Sequence, residues 1–545
     1  MQNSHLRRFL GTIFGSLAIA VTALPSLAAE QVIFSYGLIE VAISVDALAT
    51  FAREGQLTDE LAFYLQDTTS EERQELQAFL LTPVELGHVT VSQFLYSSLG
   101  EVLLQYLGDL VQTDSGLNGF HALRSAVVLA AADAEGLTIL NVLQQFPTQT
   151  VRVNGPRVVQ IAGATAQLLE QTEQMLALIE QQAALEIETA TAVDFTQYRD
   201  LEQPGTLEWQ VETLRAYDQT RDRTIEADLY QPQAASSERV PVVVISHGLG
   251  SDRRSFVDLA QHLASYGFGV VLLDHPGVNS QQIQKLFSGM ANEVVDPREF
   301  IEAPKDVSFL LDELERLAQT SPQSVRLDLQ QVGMMGHSFG GYIAFALAGA
   351  EFDLEGLQAD CAADADGLNL VNFSLLLQCT LLELEEDAFL SLQDERITAV
   401  FTMNAIGSSI FGRDGLQQMN APTMLVAGSH DAIAPAILEQ VRPFAWLEGA
   451  DKYLMVIQEG THVYSALDVS IHEDLALPAE LAGPDPMLAR QYLKASSLAF
   501  MQTYVAEQSE YLPYLHAGYT QTISRQPLEL MLVTTLMSVD SSLVE

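Results

Sequence analysis

Six short apolar runs recur between residues 240 and 462, and amphipathic stretches of helical period separate several of them. The runs are "VPVVVISHG", "FGVVLLDHPG", "QQVGMMGHS", "ITAVFTMNA", "APTMLVAGSHD" and "KYLMVIQEGTH", the last read as the final strand. The stretches "SFVDLAQHLASYG", "APKDVSFLLDELERLAQ" and "GGYIAFALAGAE" read as helices. A strand that is apolar on consecutive residues must bury both of its faces. Strands alternating with helices therefore define an α/β fold: a mostly parallel central sheet with helices on both sides. A hairpin precedes it, "LEWQVETLRAYDQTRDRTIEADLYQP", with its turn near Arg221–Arg223.

Upstream the pattern differs. Residues 29–190 read as a helical N-terminal domain. Ser44 is placed to cap "VDALATFARE" and Gly55 to end it. "TDELAFYLQD" and "SEERQELQAFLL" open with Thr or Ser followed by acids, as a helix N-terminus favours. "VVQIAGATAQLLEQTEQMLALIEQQAALEIE" reads as one long helix. His88 and His121 stand alone and carry no chemistry we can derive. Residues 191–206 lose helical period and hold Pro and Gly, which marks a linker. The α/β domain then runs over 207–510. It carries an acidic insertion at 351–396, read as a cap near the site. A tail, 511–545, follows, and its "SRQPLELMLVTTLM" is apolar enough to pack on something.

The chain is 545 residues long with a net charge of −45, so it offers no basic surface for nucleic acid. Arg7 and Arg8 precede an uncharged apolar stretch and then "SLAAE". This is the pattern of a signal peptide over residues 1–28, with cleavage after Ala28 and export to the periplasm or medium. An uncleaved anchor is the alternative. No later stretch is long and apolar enough to span a membrane. Cys361 and Cys379 allow a disulfide in an exported protein, or two buried thiols. Two cysteines without a histidine at ligand spacing make no zinc site, and no metal or organic cofactor is expected.

The chemistry centres on Gly336-His337-Ser338-Phe339-Gly340, which fits G-x-S-x-G between a strand and a helix. In that context the glycines let a serine occupy a strained turn and present its hydroxyl outwards. A serine hydroxyl needs a base, and the base an orienting acid, in the chain order Ser, acid, His. Asp431 is the carboxylate immediately beyond its strand, with His430 beside it as a loop residue. Among His462, His472 and His516, His462 follows a core strand directly, whereas the other two read as surface residues. An acyl-transfer site also needs donors for an oxyanion. The backbone N–H of Phe339 follows the serine, and that of Leu249 lies in the Gly-bearing loop "ISHGLGSDRR".

These segments together resemble the α/β-hydrolases, and within them exported lipases and esterases similar to dienelactone hydrolase and platelet-activating factor acetylhydrolase. The resemblance covers about residues 207–500 and implies Ser338 as nucleophile, Asp431 as acid, His462 as base, and Leu249 and Phe339 as oxyanion donors. It departs from dienelactone hydrolases proper, which use a cysteine nucleophile. The N-terminal region, including "FSYGLIEVAISVDALATFAREG", is similar to a domain of uncharacterised function that precedes such hydrolases in cyanobacterial proteins. The implied substrate is a small-molecule or lipid ester, with no nucleic-acid partner. Two alternatives stay open: an amidase or peptidase using the same residues, and a catalytically degenerate envelope-binding protein.

Overall fold

The computed structural model describes residues 28–37, 39–190, 193–233, 239–320, 326–362, 367–385, 388–463 and 483–536. Residues 1–27 of the expected signal sequence and His472 lie outside them. The described residues form two compact units. One runs up to Leu95 and resumes over Leu103–Val159; the other holds Tyr96–Val102 and everything from Gln160 onward. The division thus falls inside the long helix Gly155–Thr189 rather than in the stretch 191–206.

The first unit has the expected helices and, with them, a small sheet that the helical period does not announce. Its strands are β1 (Gln31–Tyr36), β2 (Ile39–Ser44), β3 (Val111–Gln112) and β4 (Thr150–Asn154), in the order β2-β1-β4-β3. β1 pairs antiparallel with β2 and parallel with β4. Gly37, at φ 60°, lies between β1 and β2, where a tight hairpin needs positive φ. The β-branched residues on either side of it are the signal that identifies the pair. Ser44 caps the helix Val45–Glu54 by accepting from the Ala47 N–H, and Gly55 ends it at φ 69°. Thr69 and Glu72 form a reciprocal capping box on the helix Ser70–Leu81. His88 and His121 are exposed.

In the second unit β5 (Trp209–Asp218) and β6 (Arg223–Pro232) form the hairpin. They are followed by β7 (Val240–Ser246), β8 (Gly269–Asp274), β9 (Leu327–His337), β10 (Ile397–Met403), β11 (Thr423–Gly428), β12 (Lys452–Ile457) and β13 (Leu530–Val533). The nine-stranded sheet has the order β13-β12-β11-β10-β9-β7-β8-β6-β5. From β8 to β12 every neighbouring pair is parallel. The period of two decides which residue faces which layer. On β7, Val242 and Val244 pack with the helices Glu299–Thr320 and Phe339–Leu347, while Val243 and Ile245 pack with Val257–Ser265 and Pro486–Tyr504. All four valine and isoleucine side chains are buried, which is why the run is apolar throughout.

β12 is not the last strand. β13, from the segment read as a tail, pairs antiparallel with β12 and closes that edge of the sheet. Its continuation is held by the long helix: Glu186 accepts from the Thr534 N–H and hydroxyl, each at 3.1 Å. The C-terminal half of that helix also places Met175, Ile179 and Ala183 in the sheet's core. No described helix is long and apolar enough to cross a membrane.

Within the insertion, helices Leu354–Asp360 and Phe373–Cys379 are joined by a disulfide between Cys361 and Cys379, with 5.8 Å between their Cα atoms. The bond removes freedom from the unfolded chain over a separation of 18 residues. Replacing both cysteines by serine is expected to cost about 3 kcal/mol of stability, read as a lower urea midpoint than the oxidised wild type.

Candidate active site

β9 ends at His337, and the helix Phe339–Leu347 begins after a single residue. That residue, Ser338, has φ 54° and ψ −115°. A non-glycine residue keeps a positive φ only where its surroundings over-determine it. Here the Ser338 N–H donates to the Met403 carbonyl at 3.0 Å. The Ser338 carbonyl accepts from the N–H groups of Gly341, Tyr342 and Ile406. The flanking glycines are required by contact. A Cβ at Gly336 would run into the Gly340 carbonyl, and one at Gly340 into the Ser246 carbonyl of β7.

The side chains of Ser338, Asp431 and His462 come together although 124 residues separate the serine from the histidine. Asp431 lies just past β11, and its Oδ1 accepts from the N–H groups of Ile433 and Ala434, both at 2.8 Å. Its Oδ2 accepts from His462 Nδ1 at 2.7 Å. That bond puts the imidazole proton on Nδ1 and leaves Nε2 as an acceptor, 2.9 Å from Ser338 Oγ. All three residues are buried. His430 beside Asp431 is exposed, and His516 caps the helix Ala517–Ile523 by accepting from the Gly518 N–H.

The loop after β7 approaches the same turn. A Cβ on Gly248 would lie 2.9 Å from His337 Nδ1 and 3.1 Å from Ser338 Cβ, so the backbone comes this close only as glycine. The N–H groups of Leu249 and Phe339 donate to no described residue. Among the described residues both N–H groups thus lack an acceptor; Leu249 follows the Gly248 that packs on the serine turn, and Phe339 is the first residue of a helix, where partial positive charge gathers. The loop is braced by His247. Its Nδ1–H donates to the Gly248 carbonyl at 2.8 Å, and its Nε2 accepts from the His275 N–H at 3.2 Å. Burial, with His275 close by, holds the His247 pKa below the usual imidazole value.

Three further buried residues brace this site: Asn404 and Glu439, which lie in no motif, and His337, at a variable position of G-x-S-x-G. Asn404 follows β10 and reaches the His462 loop. His337 donates through Nε2 to the His462 carbonyl at 2.8 Å. Glu439 accepts from Asn372, Ser374 and Gln378 of the insertion, each at 2.8 Å, and from the Gly407 and Ser408 N–H groups, each at 3.1 Å. Since the Ser374 N–H donates to the Ile433 carbonyl, the insertion is tied to the loop that carries Asp431. The sequence signal for Asn404 and Glu439 is a polar side chain set in an apolar run, "TAVFTMNA" and "APAILEQV", which must find partners when buried.

Residues 28–154 match the family described as "Alpha/beta hydrolase of unknown function (DUF1400)", and residues 199–360 match the chlorophyllase family. No curated protein matches the chain. The two matches support an α/β-hydrolase family and suggest hydrolase chemistry of the esterase type. The chlorophyllase match spans Leu249, Ser338 and Phe339 but ends before Asp431 and His462, so the geometry alone joins those two to the serine.

Two outcomes are expected. Gly340→Ala should unfold the protein at lower denaturant, because Cβ would press on the backbone of β7 and neither chain can move aside. Burial holds the pKa of His337 at about 3 and of His262 at about 4, and lowers that of His247. The unfolded chain then takes up protons below pH 6.5 that the folded chain refuses. Glu299, raised to about 7 by burial, and Glu202 and Glu293, also raised by it, act in the opposite sense and offset part of the effect of the three histidines. Stability should therefore fall as pH drops from 6.5 towards 4, at up to about 1.4 kcal/mol per pH unit for each histidine. Thermal melts across that range, with a shallower slope for His262→Gln, check this.

Proposed function

We propose that this protein is an exported serine hydrolase that cleaves carboxylic esters of small molecules or lipids through an acyl-enzyme. The observation that carries this is the hydrogen-bond chain from Asp431 Oδ2 through His462 to Ser338 Oγ, at 2.7 and 2.9 Å, together with the N–H groups of Leu249 and Phe339, which donate to no described residue. In this reading His462 Nε2 takes the proton of Ser338 Oγ as the oxygen attacks the ester carbonyl. Asp431 holds the imidazole in the tautomer that can accept it and stabilises the imidazolium that forms. The negative oxygen of the tetrahedral intermediate sits on the Leu249 and Phe339 N–H groups. His462 then gives its proton to the leaving alcohol, and water repeats the sequence to free the acid.

The chlorophyllase match supports an ester rather than an amide bond. The likeness to platelet-activating factor acetylhydrolase favours a lipid ester, and the net charge of −45 favours a neutral or zwitterionic one over a polyanion. Export is supported by the Arg7-Arg8 pair, the apolar stretch and the small residues before Ala28, and by the Cys361–Cys379 disulfide, which suits an oxidising compartment.

The test is turnover of p-nitrophenyl esters from acetyl to long acyl, with the matching anilides, by the wild type and Ser338→Ala. Ester hydrolysis that falls by at least about 1,000-fold in Ser338→Ala is expected. Anilide turnover exceeding ester turnover would point to an amidase instead. Equal rates in wild type and variant, or none with any substrate, would overturn the proposal.

A further inference from the structure

Three loops from different strands carry Ser338, Asp431 and His462, and a single turn after β10 touches all three. Met403, the last residue of β10, accepts from the Ser338 N–H, and Ile406 donates to the Ser338 carbonyl. Between them Asn404 is fully buried, at φ 46°. Asparagine tolerates this left-handed backbone better than most residues, though still at a cost. Its main-chain N–H donates to the Val426 carbonyl of β11 at 2.8 Å. Its Oδ1 accepts from the Gly428 N–H at 2.9 Å, where β11 leads into the Asp431 loop. Its Nδ2 donates to the Thr461 carbonyl at 2.8 Å and the His462 carbonyl at 3.2 Å. Reversing the amide would set N–H against N–H and oxygen against oxygen, so its orientation is fixed.

The His462 carbonyl takes a second donor, Nε2–H of His337, at 2.8 Å. A carbonyl oxygen has two lone pairs, and both are engaged here by buried side chains. His337 is buried among these groups, and its Nδ1 has no hydrogen-bond partner among the described residues. It is therefore held as the neutral Nε2–H tautomer and remains a donor. The main chain of His462 is pinned before its imidazole meets Ser338 or Asp431.

We infer that Asn404 and His337 are positioning residues for the proposed acyl transfer, fixing the His462 main chain so that its ring spans Asp431 and Ser338. This rests on the serine-hydrolase reading above. Neither side chain reaches the reacting atoms; each acts through His462. A misplacement of the base slows proton transfer from the serine and leaves substrate binding largely alone. The effect belongs in kcat, not KM.

The experiment uses the full chain and two readouts. One is the rate at which a fluorophosphonate probe labels Ser338, which reports activation of the serine whatever the natural substrate. The other is kcat and KM for a short-chain p-nitrophenyl ester. His337→Met removes the donor, and His337→Gln restores an N–H at similar reach. Asn404→Asp keeps an acceptor for the Gly428 N–H but cannot donate to the two carbonyls. We expect His337→Met and Asn404→Asp to lower labelling and kcat by about 10- to 100-fold, with KM within about twofold. His337→Gln should recover most of the loss. Folded variants that label at the wild-type rate would overturn the inference, as would a His337→Gln no faster than His337→Met. If Asn404→Asp fails to fold, the two His337 variants decide alone. A wild type that the probe does not label would bring down the serine-hydrolase reading, and this inference with it. Wild-type labelling matched by the variants would bring down this inference only.

Discussion

A serine backbone at φ 54° does not hold itself there, and much of the second unit is arranged around that one constraint. The strain is countered by four hydrogen bonds to the Ser338 main chain and by glycines that let β7 and the following helix close in. Strands β7, β9 and β10 must therefore be adjacent and in register at their C-terminal ends, as they are: Ser246 faces Gly336, and Gly336 faces Thr402. The loop bearing Leu249 then falls beside the serine because β7 is the neighbouring strand, and the turn bearing Asn404 falls on its other side because β10 is.

Behind the site lies a second set of buried polar groups. Arg223 spans Glu299 and Asp306, and Arg221 joins Asp218, Glu302 and Asp306. The cluster ties the β5–β6 hairpin to the first turns of the helix Glu299–Thr320. His275 stands between this cluster and the sheet, its Nε2 2.8 Å from Ser246 Oγ. Buried ion pairs add little net stability once their desolvation is counted. Their geometric demand is what matters here, since the β8 loop that they hold carries the N–H that orients His247 and, through it, Gly248. Glu439 does the same for the insertion, as one buried carboxylate with five donors.

Much of the fold was legible because burial on both faces leaves an unmistakable mark. Each of the six apolar runs is a strand, and the helices between them fall where the period of apolar residues changes. β1 and β2 were not legible in this way. They are short, half-exposed and followed directly by a well-capped helix, so their alternation is faint. β13 escaped for a different reason: an edge strand of four residues has no period to read until its partner, β12, is known. The division of the long helix between two units likewise depends on what each half packs against.

The sequence by itself determined the α/β class, the strand-to-helix turn at Ser338 and the short list of acids and histidines that could serve it, because these are local matters of spacing and residue type. It left the cysteines open between a disulfide and two thiols, and it assigned no role to Asn404, His337 or Glu439. A polar residue in an apolar run flags Asn404 and Glu439 as needing partners, but which partners, and the roles of all three, were decided by tertiary structure. Whether a buried amide or carboxylate is an accident or a brace depends on which carbonyls and N–H groups surround it, and those come from strands dozens of residues away. The 2.9 Å between His462 Nε2 and Ser338 Oγ is likewise a property of the folded sheet, set by the C-terminal ends of β9, β10, β11 and β12.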